Sequence, residues 1–93
     1  MEKLKIILWD KAEKDLEKLL RRDKISANKV IKELENFANN PKGNFNIKLL
    51  KGKFENLYRL RVGNYRIIYD IINDEINVYR VRHRKEVYLW KLK

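Results

Sequence analysis

At 93 residues the chain has the length of one domain with a modest core. Hydrophobic residues make up 44% and charged residues 39%, a globular composition with a heavily charged surface rather than a disordered one. The absence of cysteine excludes a disulfide framework and a thiolate metal site. No apolar run is long enough to span a membrane, and residues 1–9 lack the apolar region of a signal peptide, so a cytoplasmic location is predicted.

The formal charge is +10 and it is unevenly spread. Residues 1–40 carry 10 Lys/Arg against 8 Asp/Glu, whereas residues 41–93 carry 13 against 5, so the second part holds a net +8. Six of the eight arginines fall between Arg59 and Arg84. Lysine on the first half suits a solvated helix surface. Arginine on the second half forks onto phosphate and stacks on bases. This segregation points to nucleic acid, or to an acidic protein segment, as partner.

Residues 3–9, KLKIILW, place Leu4, Ile6 and Leu8 on one side, the alternation of a strand. Asp10 with Glu13 three residues later reads as an N-cap and capping box. Ala12, Leu16, Leu19 and Leu20 recur at helical spacing to about Arg22. Asp23-Lys24 interrupts the pattern, and Ser26 is placed to cap a second helix with the apolar face Ala27, Val30, Ile31, Leu34, Phe37 and Ala38. Asn39-Asn40-Pro41 ends it, with asparagine suited to a left-handed exit. The two helices are expected to pair antiparallel. Residues 42–56 read as a polar connection holding Lys48, Lys51 and Lys53, pinned by Leu49-Leu50.

Residues 57–72, LYRLRVGNYRIIYDII, form a predicted β-hairpin about Gly63-Asn64, where glycine supplies the positive φ of a two-residue loop. In that register Val62 faces Tyr65, Arg61 faces Arg66, Leu60 faces Ile67 and Tyr58 faces Tyr69. The apolar and tyrosine residues then share one face, and Arg59, Arg61 and Arg66 share the other. Opposed arginines destabilise a sheet, and such local violations mark functional sites. The plain alternative is a solvated basic face; the sharper one is a site for phosphate.

After a turn at Asn73-Asp74-Glu75, residues 76–84 form a third consecutive strand. A three-residue loop pairs Arg66 with Arg82 and sends Arg80, Arg82 and Arg84 to the arginine face. A two-residue loop presents Tyr79, Val81 and His83 there instead. The first is favoured because the second drives Arg80 and Arg82 into the core. Residues 85–93 form a short tail in which Val87, Leu89 and Trp90 can dock and Tyr88 can face the basic surface. The expected class is α+β: an N-terminal strand and helical hairpin packed on an antiparallel three-stranded meander, one domain over residues 1–93.

One histidine, His83, and few acids in the second half leave no metal-ligand cluster, and Gly43, Gly52 and Gly63 match no nucleotide-binding fingerprint. The chemistry that suits such a sheet is RNA cleavage by the RNA's own 2′-OH. The protein need only align the strand, assist proton transfer and stabilise charge on phosphorus. Arginine stays protonated, so a tyrosine or His83 must be considered for proton transfer.

LKGKFENLYRLRVGNYRIIYDI, followed by VRHRKEVY, resembles the RelE/ParE superfamily of type II toxins, within it the RelE type, over nearly the whole chain. The resemblance implies a RelE-like microbial RNase fold and ribosome-dependent mRNA endonuclease activity without metal or other cofactor. It also implies ribosome and mRNA as partners, no membrane, and a RelB-like antitoxin whose complex with the toxin binds operator DNA. It assigns Arg59, Arg61 and Arg66 to phosphate alignment and transition-state charge, Arg84 to the leaving oxygen, and Tyr88 to the base or the 2′-OH. His83 is a further acid–base candidate, and Lys48, Lys51, Lys53, Arg80 and Arg82 are candidates for RNA or ribosome contact. The chain departs from the family pattern in carrying Arg59 and Arg61 where relatives often have lysine, and Arg82 where many have glycine. The alternatives are a ParE-type gyrase inhibitor on the same scaffold, and a basic RNA-binding module that does not cut.

Overall fold

The structure, a computed structural model, describes residues 3–50 and 56–86. Its elements in chain order are β1 (Lys5–Leu8), α1 (Asp10–Arg22), α2 (Lys24–Asn39), β2 (Ile47–Leu49), β3 (Tyr58–Val62), β4 (Tyr65–Ile72) and β5 (Glu75–His83). The architecture is α+β, with both helices on one face of a five-stranded sheet of order β1-β5-β4-β3-β2. The predicted meander, β3-β4-β5, is its centre. Two further strands extend it: β1 lies parallel beside β5, and β2 pairs antiparallel with β3 at the far edge. The connection over 42–56 therefore contains a strand that the sequence reading missed, because three residues are too few to display a period of two. Lys51 and Lys53, like the tail residues Val87, Tyr88, Leu89 and Trp90, lie outside the described residues.

The apolar stripes form one core. Ala12, Leu16 and Leu19 of α1 and Ala27, Val30, Leu34, Phe37 and Ala38 of α2 are buried against Leu60, Ile67, Tyr69, Ile76, Val78 and Val81 of the sheet's inner face. Phe37 meets Tyr69 edge-on, with ring centroids 5.4 Å apart, a geometry that aromatic quadrupoles favour. On the outer face, Ile68 and Leu50 are buried together with Leu57 packed against them. Only Leu50 of the Leu49-Leu50 pair is an anchor; Leu49 is 47% exposed.

The helix ends differ from expectation. Trp9, not Asp10, is the N-cap of α1, and no side chain caps it. Asp10 and Glu13 stand in the first turn, where carboxylates complement the positive end of the helix. Asp23 caps α2 in place of Ser26: one carboxylate oxygen accepts the Ser26 N–H (3.1 Å) and the other its hydroxyl (2.6 Å). These bonds, the hydroxyl's first, hold the Asp23 carboxyl below its ordinary range. Asn40 closes α2 at φ −147°, an extended exit rather than a left-handed one.

The β3–β4 register is the one the sequence predicts, from Tyr58↔Tyr69 to Val62↔Tyr65, with Gly63 at φ 59° in the loop. The β4–β5 register combines both alternatives. The loop has two residues, Asn73 (φ 51°) and Asp74 (φ 63°), both in the left-handed region that such loops require. Yet Arg66 still faces Arg82, because Tyr69 pairs with Val78 and Ile68 with Arg80, leaving Tyr79 as an extra residue in a β-bulge. The bulge lets Ile76, Val78 and Val81 all face inward despite their uneven spacing.

Leu60 lies at the centre of this core with no exposed surface. Leu60→Ala is expected to lower the unfolding free energy by about 2–5 kcal/mol, the usual cost of a buried Leu-to-Ala cavity, read from urea denaturation.

Candidate nucleic-acid interface

Among the described residues, no helix or strand layer covers the outer face of the sheet, and that face carries the basic residues in two cross-strand rows. The first runs Lys48, Arg59, Ile68, Arg80 across β2, β3, β4 and β5. The second runs Arg61, Arg66, Arg82 across β3, β4 and β5. Neighbouring strands stand about 4.8 Å apart, so each row concentrates positive charge. Burial, and then the neighbouring charge of Arg61, lower the Arg59 guanidinium's pKa.

The β3–β4 loop gathers part of this set. The Gly63 carbonyl accepts Arg61 Nε (3.4 Å) and Arg66 Nη1 (3.3 Å). The Arg84 backbone N–H donates to the Asn64 carbonyl (2.8 Å), which fixes the helical turn at 84–86 against the same loop. Arg61, Arg66 and Arg84 are thus brought together at one end of the sheet. Arg61 and Arg84 are exposed, and Arg66 is half-buried.

Arg80 and Arg82 are held differently. Asp15 of α1 accepts Arg80 Nε (2.9 Å), Arg80 Nη2 (3.2 Å) and the Val81 N–H (2.9 Å). Arg82 lies 3.1 Å from Glu86 and 3.8 Å from Asp15, and its buried Nε has no partner among the described residues. Both guanidiniums are therefore partly neutralised within the chain, and Asp15 and Glu86 set their positions. Sequence reasoning gave Asp15 no role. Its signal was its place beside Leu16, three residues after Ala12 and four before Leu19, which sets a carboxylate on the flank of a buried stripe.

The pleat turns His83 toward the inner side. Its strand partner is Tyr65, whose ring it meets at 5.4 Å, edge to face. Its Nδ1 accepts the Lys85 N–H (3.3 Å), and it borders a cavity of about 560 Å³ with Lys18 and Arg22 of α1, although Arg82 of the second row borders the same cavity. Among the described residues no group of three or more His, Cys, Asp or Glu could hold a metal ion. Tyr88 is outside the described residues.

Toward the β4–β5 turn the outer face is polar and aromatic. Asp70 accepts the Tyr79 hydroxyl (2.9 Å) with one oxygen and Asn77 Nδ2 (3.0 Å) with the other. Burial first, then the Asp70 hydrogen bond and charge, push the Tyr79 phenol up to about 12.

The comparisons with known proteins fit this geometry. A family profile described as "ParE toxin of type II toxin-antitoxin system, parDE" matches residues 6–88, and the chain belongs to that family, within the RelE/ParE superfamily of toxins. A stretch of 59 residues is 42% identical to Toxin RelE3 of Methanocaldococcus jannaschii, covering 63% of this chain and 66% of that relative's own length. The fold is similar to that of a YoeB/ParE toxin from Agrobacterium tumefaciens, with a TM-score of 0.75 at 19% identity over 86% of this chain and 98% of the other. It is similar also to a chain of the RelBE2 toxin–antitoxin complex of Mycobacterium tuberculosis, with a TM-score of 0.73 at 24% identity over 90% and 94%. No helix among the described residues is long and apolar enough to cross a membrane.

Two measurements test the electrostatics. Arg61→Thr removes the opposed Arg61–Arg66 pair and is expected to stabilise the fold by about 0.2–1 kcal/mol, a rise of roughly 1–6 °C in Tm by calorimetry. Tyr79→Phe is expected to flatten the alkaline loss of stability. The native phenol keeps its proton to about 12 while the unfolded one ionises near its ordinary 10.0. Below that range the Tyr79 contribution is constant; between the two values the unfolded state binds fewer protons and stability falls with rising pH. Urea midpoints of parent and variant should converge across that window.

Proposed function

We propose that the chain is the toxin of a type II toxin–antitoxin pair that cleaves mRNA in the ribosomal A site by metal-independent attack of the RNA's own 2′-OH. The observation that supports this reading is the Arg61–Arg66–Arg82 row, with Arg59 beside it, on a sheet face that no helix or strand of the described residues covers. It is a preformed set of fixed positive charges on a face that a nucleic-acid strand can reach.

In the proposed reaction the 2′-oxygen attacks the adjacent phosphorus, the bond to the 5′-oxygen breaks, and the products are a 2′,3′-cyclic phosphate and a 5′-hydroxyl. Arg59, Arg61 and Arg66 hold the non-bridging oxygens and stabilise the added charge of the pentacoordinate state. Arg84, beside the same loop, stands by the leaving oxygen. Tyr88 takes part in proton transfer or base orientation by resemblance to RelE-type toxins. His83, on the opposite side of the sheet, is not assigned to this chemistry. Arg80 and Arg82 act as the fixed border of the site, with Lys48, Lys51 and Lys53 contacting RNA or ribosome.

A RelB-like antitoxin of acidic character is the proposed partner. The Mycobacterium tuberculosis neighbour is itself a toxin–antitoxin complex, and charge complementarity would bring such a protein to the basic half of this one. The name of the matched family favours a second reading, a ParE-type inhibitor of DNA gyrase that acts by protein contact.

Primer extension on a defined message in a translating extract separates them. The mRNA reading expects new 5′ ends at A-site positions that vanish when ribosomes are removed, with Arg66→Ala reducing cleavage by about 10²-fold or more. Intact message together with inhibited gyrase supercoiling would establish the second reading instead.

A further inference from the structure

Trp9 is the outstanding exposed aromatic of the described residues. It is 51% exposed, yet it is not loose. Its indole N–H donates to Asn77 Oδ1 (3.3 Å), and its ring leans on Tyr79 with centroids 4.9 Å apart. Tyr79 is pinned in turn through its hydroxyl to Asp70, and the other Asp70 oxygen accepts from Asn77. Every polar edge of the pair is therefore used internally, and what remains toward solvent is ring surface. A rigid aromatic surface with satisfied polar edges loses little conformational entropy when something stacks on it.

The surroundings select the occupant. The bulge in β5 sets Tyr79 on the outer face of the sheet, the face of the arginine rows. Beside the pair opens a groove of about 560 Å³, bordered by Ile7, Asp10, Lys11 and Arg80. That volume is within the ordinary range of small-ligand sites; its charged border is mixed, with Lys11 beside Asp10 and Arg80 already paired to Asp15, so the aromatic faces rather than charge define what it takes. Arg82 is three residues along β5 from Tyr79, about 10 Å at strand rise. A strand with a phosphate at Arg66 and Arg82 would bring a neighbouring base to the aromatic pair.

We propose that Trp9 and Tyr79 form a base-stacking subsite for single-stranded RNA, a nucleotide or two from the phosphate held by the arginine row. This rests on the RNA reading of that row. Unstacked bases present flat faces of any sequence to such a platform, so the subsite adds affinity and register without demanding a particular base.

The test uses the full chain with Trp90→Phe, so that Trp9 is its sole tryptophan, and a short single-stranded oligoribonucleotide as probe. Trp9 emission is expected to be quenched on titration. Trp9→Ala should weaken binding about tenfold or more, with Trp9→Phe restoring most of it. The salt dependence of binding should stay unchanged in Trp9→Ala, because stacking releases no counterions, whereas Arg66→Ala should lower the salt slope by about one. Circular dichroism checks the fold, and Trp9→Phe keeps the comparison valid if the alanine variant does not fold.

Unquenched emission, or binding within twofold of the parent in Trp9→Ala, overturns the subsite. So does loss of antitoxin binding with RNA affinity intact, which would make the pair a protein-docking surface. Ribosome-dependent cleavage by the parent is measured alongside. Cleavage that persists while the Trp9 effect fails removes the subsite alone, and absent cleavage with a Trp9 effect on RNA binding removes the nuclease reading alone. A parent that binds no RNA removes the subsite whatever the cleavage result.

Discussion

Asp15 reaches from α1 to the edge of β5 at the point where that strand loses its neighbour. β1 ends at Leu8, and its last link to β5 is the Trp9 N–H on the Val78 carbonyl. Beyond it the Val81 N–H has no strand to bond, and the Asp15 carboxylate accepts it while also gripping Arg80 in a fork. A buried backbone donor and a half-buried guanidinium are satisfied by a single group. That contact lies at the bulge which shifts β5 by one residue, and the shift decides which side chains are core and which are site. Without the extra residue, a two-residue turn would carry Arg80 and Arg82 onto the helix side. With it, Val81 enters the core and Arg82 joins the row with Arg66 and Arg61. The outer-face chemistry thus depends on a contact made by a helix on the inner face.

A row of opposed arginines is costly for a folded chain. Two unit charges about 6 Å apart repel by roughly 3 kcal/mol at an effective dielectric near 20, and by less where solvent and salt screen them. The chain relieves one end by placing Asp15 and Glu86 against Arg80 and Arg82. Among the described residues it offers no carboxylate to Arg59 or Arg61, and Arg59's pKa is lowered by burial and by its neighbour. A bound phosphate would turn this repulsion into attraction, and a ligand that binds only the native state stabilises it increasingly, as the logarithm of its concentration relative to Kd. The repulsion and the proposed phosphate affinity would have one cause, in keeping with the tendency of local rule violations to collect at functional sites.

Much of this was legible in the chain. The alternation around Gly63-Asn64 carries both the hairpin register and the division into apolar and basic faces, because a period of two permits no other division once the loop is fixed. The helical stripes from Ala12 to Leu19 and from Ala27 to Ala38 are equally plain. The caps were misread where a carboxylate three residues before Ser26 outcompeted the serine hydroxyl. The β5 register could not be read, because a bulge leaves no mark in composition: Tyr79 looks like any strand residue, and the compensating partner, Asp15, is sixty-four positions away. The side of His83 follows from the favoured pairing of Arg66 with Arg82, which the structure keeps. Sequence places it one residue from Arg82, and the pleat then sends it through the sheet.

That last placement constrains the chemistry. A general base must come within about 2.6–3.2 Å of the proton it takes, and the His83 ring is instead held edge to face on Tyr65 with its Nδ1 accepting the Lys85 N–H. Tyr79, on the correct face, is kept protonated by burial and Asp70, which suits a hydrogen-bond donor or a stacking ring and not a base near neutral pH. The described outer face therefore presents positive charge and an aromatic surface, and its Tyr79 phenol is a hydrogen-bond donor there. The field along it also has a direction: Asp70 has both oxygens engaged at the aromatic end, and positive charge accumulates toward the Gly63 loop. An anionic strand drawn to that gradient would reach the arginines phosphate-first. Its 2′-OH would then need proton acceptance from the RNA itself, from the ribosome, or from the residues that follow the 84–86 turn.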